Sequence, residues 1–376
     1  MKVTIIGAGN IGTALAARIS KEAVSDVMVY TSKVHLWEEC LLYAESMSSK
    51  EYNVSGEVKA TDNLSEAVKE AEIVFITNPS FMRRNIIEGI TPFISSQTSI
   101  VFVPGVGGIE FFCQDLIKKG YTIIGLDRVP CIARVQEYGK KVNFEWKKSV
   151  RVGCLNSKDT KRSYEMLEKV LKMECQEVKN YLTITMTPSN QILHTSRLYG
   201  LFHAHYNQKT YDYNIPFYGE WDDFSSEILL ALDKEVQDIC KAFKEIDMSG
   251  VIPLNIHYES NTKEAMTKKI CSIPALKKIT SPMLQNTEGK YEIDFKSRYF
   301  EEDFPYGLCI VRGLAEIGEV RTPYIDKVLK WYEKWKSKSY FVGESFSGED
   351  LKETNIPQNF GIHTKEQLYS LYDKSN

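Results

Sequence analysis

Two hydrophobic rhythms divide this chain. Up to about residue 180, short apolar runs of four or five residues alternate with helix-forming stretches; from Asn190 onward the short runs stop and apolar residues recur at helical spacing. The first run, residues 3–6, reads Val-Thr-Ile-Ile, the composition of a strand buried on both faces. Further strands are expected at 27–30, 57–60, 73–77, 100–103 and 121–124, with helices at 13–19, 63–69 and 110–118 between them. This alternation implies a doubly wound α/β domain with a parallel sheet. Residues 142–144 and 150–154 look antiparallel, and a helix at 160–172 with a strand at 176–178 closes the domain, giving a boundary at 183/184. The second domain, 184–376, is read as mainly α-helical. Its clearest helix is 225–245, where Ile228, Leu229, Leu232, Val236, Ile239, Cys240 and Phe243 form one stripe. Helices at 261–270, 308–317 and 322–335 follow, and no repeat or low-complexity linker interrupts them.

The junction between the first strand and first helix carries the strongest signal. Gly7, Ala8, Gly9, Asn10, Ile11 and Gly12 form a glycine-rich turn directly after a strand and directly before a helix. In that context Gly7 makes the tight turn, Gly9 lets a pyrophosphate approach bare backbone, and Gly12 lets helix pack on strand. The helix N-terminus then presents amides to phosphates. A Rossmann-type dinucleotide site is expected. An acidic residue usually ends the second strand and meets the adenosine ribose; here stand Thr31, Ser32 and Lys33, two hydroxyls and a cation, which suit a 2′-phosphate and favour NADP over NAD. Glu38 or Glu39 is the alternative ribose partner. Asn78 and Pro79, ending the strand at 73–77, are placed at the nicotinamide side.

Composition narrows the class. The length of 376 residues suffices for two cores, and 43% hydrophobic with 26% charged residues is ordinary for a soluble protein. A net charge of -3 argues against a nucleic-acid or anionic-membrane partner. The eight cysteines include no CxxC pair, so they read as thiols in a reducing compartment, neither metal ligands nor a disulfide framework. No run approaches the ~18 apolar residues that span a bilayer. The first strand begins at Lys2, leaving no room for a signal peptide, and a cytoplasmic location is expected. A homodimer is compatible with this plan.

Among six histidines, His194 alone has a chemical setting. It lies at the expected domain junction, where small substrates usually sit, and Asn190 four residues earlier shares its face on a helix. His203 and His205 alternate like a metal pair, but no third ligand accompanies them, and helix-surface histidines are the expected account. A second candidate is the stretch from Arg298 to Gly307, in which Asp303 precedes an aromatic-Pro-Tyr-Gly turn. A stiff turn can hold a carboxylate behind an imidazole; a solvated acidic loop explains the same residues equally well.

Together, the glycine opening, Pro104-Gly105 with Gly107-Gly108, the stretch from Val129 to Val142, Asn190-Gln191-Ile192-Leu193-His194 and Arg298 to Leu308 resemble the octopine/nopaline (opine) dehydrogenase family over nearly the whole length. Members reductively condense a 2-oxo acid with the amino group of an amino acid, using NADH or NADPH. The resemblance implies that His194 is the general acid/base, Asp303 its partner, Asn190 an aid in the substrate site, and Arg298 a holder of a substrate carboxylate; Arg134 is also expected in the substrate site. The family pattern has proline after the histidine, whereas this chain has Thr195, a change expected to loosen the local backbone. No metal is implied. Two other readings share parts of this pattern: a 2-oxo acid or glycerol-phosphate-type reductase, and a nucleotide-sensing protein without turnover.

Overall fold

The computed structural model describes residues 1–21, 26–155, 160–204 and 209–372. The chain divides into two compact units, Met1–Thr185 together with Tyr372, and Met186–Leu371. The first unit thus ends just beyond the expected boundary, and it also recovers the end of the last helix, Lys365–Tyr372.

An eleven-stranded sheet builds the first unit. Its strands are β1 (Lys2–Ile6), β2 (Asp26–Tyr30), β3 (Cys40–Ala44), β4 (Asn53–Thr61), β5 (Ile73–Ile76), β6 (Ser99–Phe102), β7 (Thr122–Leu126), β8 (Cys131–Glu137), β9 (Lys141–Trp146), β10 (Ser149–Cys154) and β11 (Glu174–Glu177). In space they run β11-β10-β7-β6-β5-β1-β2-β4-β3-β9-β8. The stretch from β7 to β4 is entirely parallel. After β1 the chain builds outward through β2 and β4 on one side, then returns to add β5, β6 and β7 on the other. The reversal at β1 leaves a crevice at the strands' carboxyl ends, the usual ligand position in such sheets.

Alternation explains why the short apolar runs are strands. Val3 and Ile5 point into one core with Ala14, Leu15 and Val29, while Ile6 points into a second core with Val74, Ile76 and Phe102. Thr4, the one polar residue of the run, bonds Ala67 O with its hydroxyl, so its burial leaves no unmet donor.

Several expectations are corrected. β3 was not anticipated; Cys40-Leu41-Leu42-Tyr43-Ala44 lacks β-branched residues, and its pairing with β4 and β9 makes it a strand. The segment expected at 110–118 breaks at Cys113 into Ile109–Phe112 and Gln114–Lys118. β9 and β10, expected to be antiparallel, do lie in antiparallel pairs, with β8 and β7 respectively.

The second unit is organised on the helix Asp223–Ala242. Its buried face carries Ile228, Leu229, Leu232, Val236 and Ile239, and Asp222 caps it by accepting from Ser225 N–H at 2.6 Å. It ends at Ala242, short of the expected Glu245, because Phe243 leaves the helical region. Around it pack the helices Asn190–Phe202, Lys263–Ser272, Cys309–Gly318 and Pro323–Lys336. Glu235 accepts from the N–H groups of Tyr324 and Ile325, so the central helix also caps Pro323–Lys336. Among the described residues, no helix is long and apolar enough to cross a membrane.

In the first unit Glu110 is fully buried. Its Oε1 accepts from the Thr185 hydroxyl at 2.6 Å and the Tyr372 hydroxyl at 3.1 Å, while Oε2 has no partner among the described residues. Burial pushes its carboxyl from the usual 4.5 up to about 7, against the pull of those hydrogen bonds. A raised carboxyl favours folding while protonated: that contribution is complete below pH 4.5 and is lost as the pH rises through about 7. Its full extent is about 3 kcal/mol. Glu110→Gln keeps an acceptor and cannot ionise. Its thermal midpoint should exceed that of the parent by several degrees near pH ~8.5 and converge with it near pH ~5. Parallel melting curves across that range would refute the assignment.

Candidate active site

Two constellations stand out, one in each unit. In the first, Gly7 has φ of +106°, and a Cβ there would lie 2.7 Å from Thr77 Oγ1 and 2.9 Å from Asn78 Oδ1. A Cβ on Gly12 would fall 1.7 Å from Gly7 O, so only glycine lets the helix Asn10–Ser20 begin against this turn. Gly9 differs: among the described residues a Cβ there would meet nothing within 4 Å. It N-caps the helix with no side-chain cap bond, leaving the first-turn amides to a ligand. Ala8 is buried, Ile11 half-buried, and Asn10 accepts from Val135 N–H at 2.8 Å, tying the turn to β8.

Asn78 stands beside Gly7, and its Oδ1 is buried without a partner among the described residues. Pro79 caps the next helix, Ser80–Ile90. An open glycine cradle, uncapped amides and an orphaned acceptor together fit a dinucleotide. Arg83, which no sequence signal singled out, is 1% exposed. It donates to Asn78 O at 2.9 Å and Val106 O at 2.7 Å, linking the loops after β5 and β6.

The turn after β2 is only partly as expected. Thr31 is buried, and its hydroxyl is committed to the Tyr138 hydroxyl at 2.5 Å and to Lys33 N–H at 3.2 Å. Ser32 and Lys33 are exposed, and Lys33 Nζ lies 5.2 Å from the centre of the Tyr138 ring. Glu38 is engaged 3.6 Å from Lys140, and Glu39 is exposed. Arg134 is exposed on β8, with its guanidinium on the carbonyl of Ala133 at 3.0 Å.

In the second unit, His194 and Asp303 come together from positions 109 residues apart. The imidazole Nδ1 lies 2.8 Å from Asp303 Oδ2, and Nε2 lies 2.8 Å from the Tyr218 hydroxyl. His194 sits within the helix Asn190–Phe202 at 9% exposure, with the Tyr299 ring 4.5 Å away and the Phe217 ring 5.6 Å away. Burial pushes Asp303 above the ordinary carboxylate range, and the adjacent His194 pulls it back down.

The turn that carries Asp303 explains why this acid is not a solvated loop. Residues Phe304–Leu308 form a π-turn in which Leu308 N–H bonds Asp303 O at 2.9 Å. Phe304 is fully buried and stacks on Tyr332 with ring centres 4.2 Å apart. A Cβ on Gly307 would lie 2.7 Å from the Cβ of Gln191, so glycine there lets the turn press onto the histidine helix. Thr195 does not loosen that helix; its hydroxyl bonds Gln191 O at 2.7 Å and its side chain is fully buried.

Other candidates fall differently. Asn190 is the first residue of the helix and exposed, whereas its neighbour Gln191 is buried and donates to Thr187 O at 2.7 Å. Arg298 is exposed and forms an i,i+4 pair with Glu302 at 2.6 Å. His203 stacks between Tyr199 and Phe224, and His205 lies outside the described residues. Sequence reasoning missed Tyr299 and Tyr218. The first is adjacent to Arg298 in a stretch already singled out; the second has no local signal.

Comparison with known proteins identifies relatives of both halves of the chain. Residues 177–335 match the α-helical domain of NAD/NADP octopine/nopaline dehydrogenases, and residues 2–118 match the N-terminal domain of NAD-dependent glycerol-3-phosphate dehydrogenases. The chain is 30% identical over 329 residues to an opine dehydrogenase of Haliotis discus hannai, covering 83% of this chain and 81% of that one. It is 27% identical to a tauropine dehydrogenase of Arabella iricolor, covering 97% of this chain and 99% of that protein. An octopine dehydrogenase structure with NADH and L-arginine superposes with a TM-score of 0.86 at 21% identity, over 100% of this chain and 99% of the other. An NADP+-bound yersinopine dehydrogenase superposes at 0.69 with 13% identity, over 98% of each chain.

The two glycines should separate binding from folding. Gly9→Ala adds a methyl group where the described residues leave open space, so its melting point should match the parent while NADPH and NADH both bind at least tenfold more weakly, the ~1.4 kcal/mol of one lost close contact. Gly12→Ala drives a carbon into Gly7 O and should lower the melting point itself. Unchanged cofactor titration of a folded Gly9→Ala protein would show that the phosphates bind elsewhere.

Proposed function

This chain belongs to the opine dehydrogenase family, and from that premise we propose how its own residues perform the reductive condensation of a 2-oxo acid with the amino group of an amino acid. It is an NAD(P)-dependent oxidoreductase acting on CH–NH bonds. Gly7 to Gly12 hold the dinucleotide, and Asn78 and Pro79 border its nicotinamide end. When bound, the reduced cofactor supplies a hydride to the carbon of the C=N group.

The observation that carries the reading is the part-buried His194–Asp303 pair at 2.8 Å. Forming the C=N bond requires a proton for the departing hydroxyl, and reverse turnover requires a base. An imidazole with a carboxylate behind Nδ1 serves both, because the carboxylate fixes the ring's tautomer and orientation. The exposed Arg298 exchanges Glu302 for a substrate carboxylate, Arg134 is a second cation for that role, and Asn190 offers an amide at the start of the histidine helix.

For the cofactor we favour NADPH over NADH. Thr31 is occupied by Tyr138, but Ser32 and Lys33 still offer a hydroxyl and a positive charge, with no acid between them. Ser32→Asp should therefore reverse the preference, weakening NADPH by roughly tenfold or more while NADH gains, because a carboxylate would face the 2′-phosphate. Titration showing the parent already selective for NADH would overturn this cofactor assignment.

The reaction is tested by a matrix of 2-oxo acids, pyruvate among them, against the amino acids and taurine, followed by nicotinamide absorbance. In the best pair, His194→Gln should lower turnover by roughly 10²–10⁴ with cofactor affinity nearly unchanged. Asp303→Asn should also slow it, and the double variant should fall short of the product of the single losses. A folded His194→Gln protein with most of its activity would rule out the acid/base role; full cofactor binding with no turnover in any pair would favour a nucleotide-sensing protein.

A further inference from the structure

Both nitrogens of His194 are taken in this structure, and the partner at Nε2 is a phenol. With Asp303 ionised, a neutral imidazole carries its proton on Nδ1, so Nε2 accepts and the Tyr218 hydroxyl donates. A charged imidazole reverses that bond: Nε2–H donates into the Tyr218 oxygen and leaves the phenol's own proton available to another acceptor. The hydroxyl is therefore in line with the only nitrogen that could deliver a proton.

Tyr218 is held there from both sides. Arg197, three residues after His194 on the same helix, is fully buried and donates to Phe217 O at 2.8 Å and Glu220 O at 2.5 Å, the carbonyls flanking Tyr218. Its remaining reach goes to Asp222 at 2.6 Å and the Ser225 hydroxyl at 3.1 Å. The Tyr218 ring stacks on Trp221 with planes 5° apart and packs edge-on to Phe217 at 4.9 Å. A side chain pinned this firmly, and only 5% exposed, is poorly suited to swinging aside as a gate.

We propose that Tyr218 is a further catalytic residue, the relay through which the His194 proton reaches the substrate. This rests on the acid/base reading of His194. In the condensed adduct of 2-oxo acid and amine, the phenol proton forms a new O–H bond on the departing hydroxyl. The C–O bond breaks with its electron pair leaving in water, and the nitrogen lone pair forms C=N. In the same motion the Nε2 proton passes to the Tyr218 oxygen, restoring the phenol and leaving His194 neutral with Nδ1–H on Asp303. Oxidation runs the same transfers backward. Burial raises the phenol's pKa well above its usual value, and the negative charges that Tyr299, Tyr258 and Asp303 can carry push it the same way, so it gives up a proton only while receiving one.

The test is single-turnover oxidation of the preferred nicotinamide cofactor, with the best substrate pair from the matrix, in mixtures of H2O and D2O. The parent rate should bow downward against deuterium fraction, the mark of two protons in flight. Tyr218→Phe should be roughly 10–100-fold slower, with a linear plot and cofactor affinity within about twofold of the parent. A linear plot for the unaltered protein overturns the relay without recourse to any variant, and so does a folded Tyr218→Phe protein within about threefold of the parent rate. If His194→Gln is inactive while Tyr218→Phe is not, the relay alone fails; if His194→Gln is active, the acid/base reading falls with it.

Discussion

One hydrogen bond governs the second unit: the contact between a mid-helix imidazole and a carboxylate 109 residues later in the chain. Removing an ionisable pair from water is costly unless geometry is good and the remaining polar atoms find partners. Much of the local structure serves that requirement. A glycine opposite Gln191 brings the two backbones close, a π-turn presents the carboxylate, and a buried phenylalanine anchors the turn behind it. Aromatic rings around the imidazole exclude water, which strengthens every electrostatic contact they enclose.

Each unit solves its positioning problem with a fully buried arginine. Arg83 in the first and Arg197 in the second donate to backbone carbonyls of the loops that bear Asn78 and Tyr218. A guanidinium suits this work because its planar donors reach several carbonyls at once and keep their charge when desolvated. Loops fixed by such a hub behave as rigid scaffold although they have no regular structure. The same side chains make each site sensitive to changes well away from the reacting atoms.

The parallel core, the glycine turn and the central helix of the second unit were legible in the chain because each depends on short-range order. A short β-branched run bounded by turn residues favours a buried strand, and three glycines between strand and helix admit few other conformations. His194 and Asp303 were legible through motif resemblance rather than through periodicity. Against that, Cys40–Ala44 lacks β-branched residues and becomes a strand by pairing with β4 and β9. Thr31 reads like a phosphate ligand until Tyr138, 107 residues away, takes its hydroxyl. Tyr218 and Arg83 carry no local mark at all. Local pattern determines what a segment can be, since it reflects sterics and periodicity within a few residues; partners for buried polar atoms come from anywhere in the chain, and only the folded tertiary structure decides them.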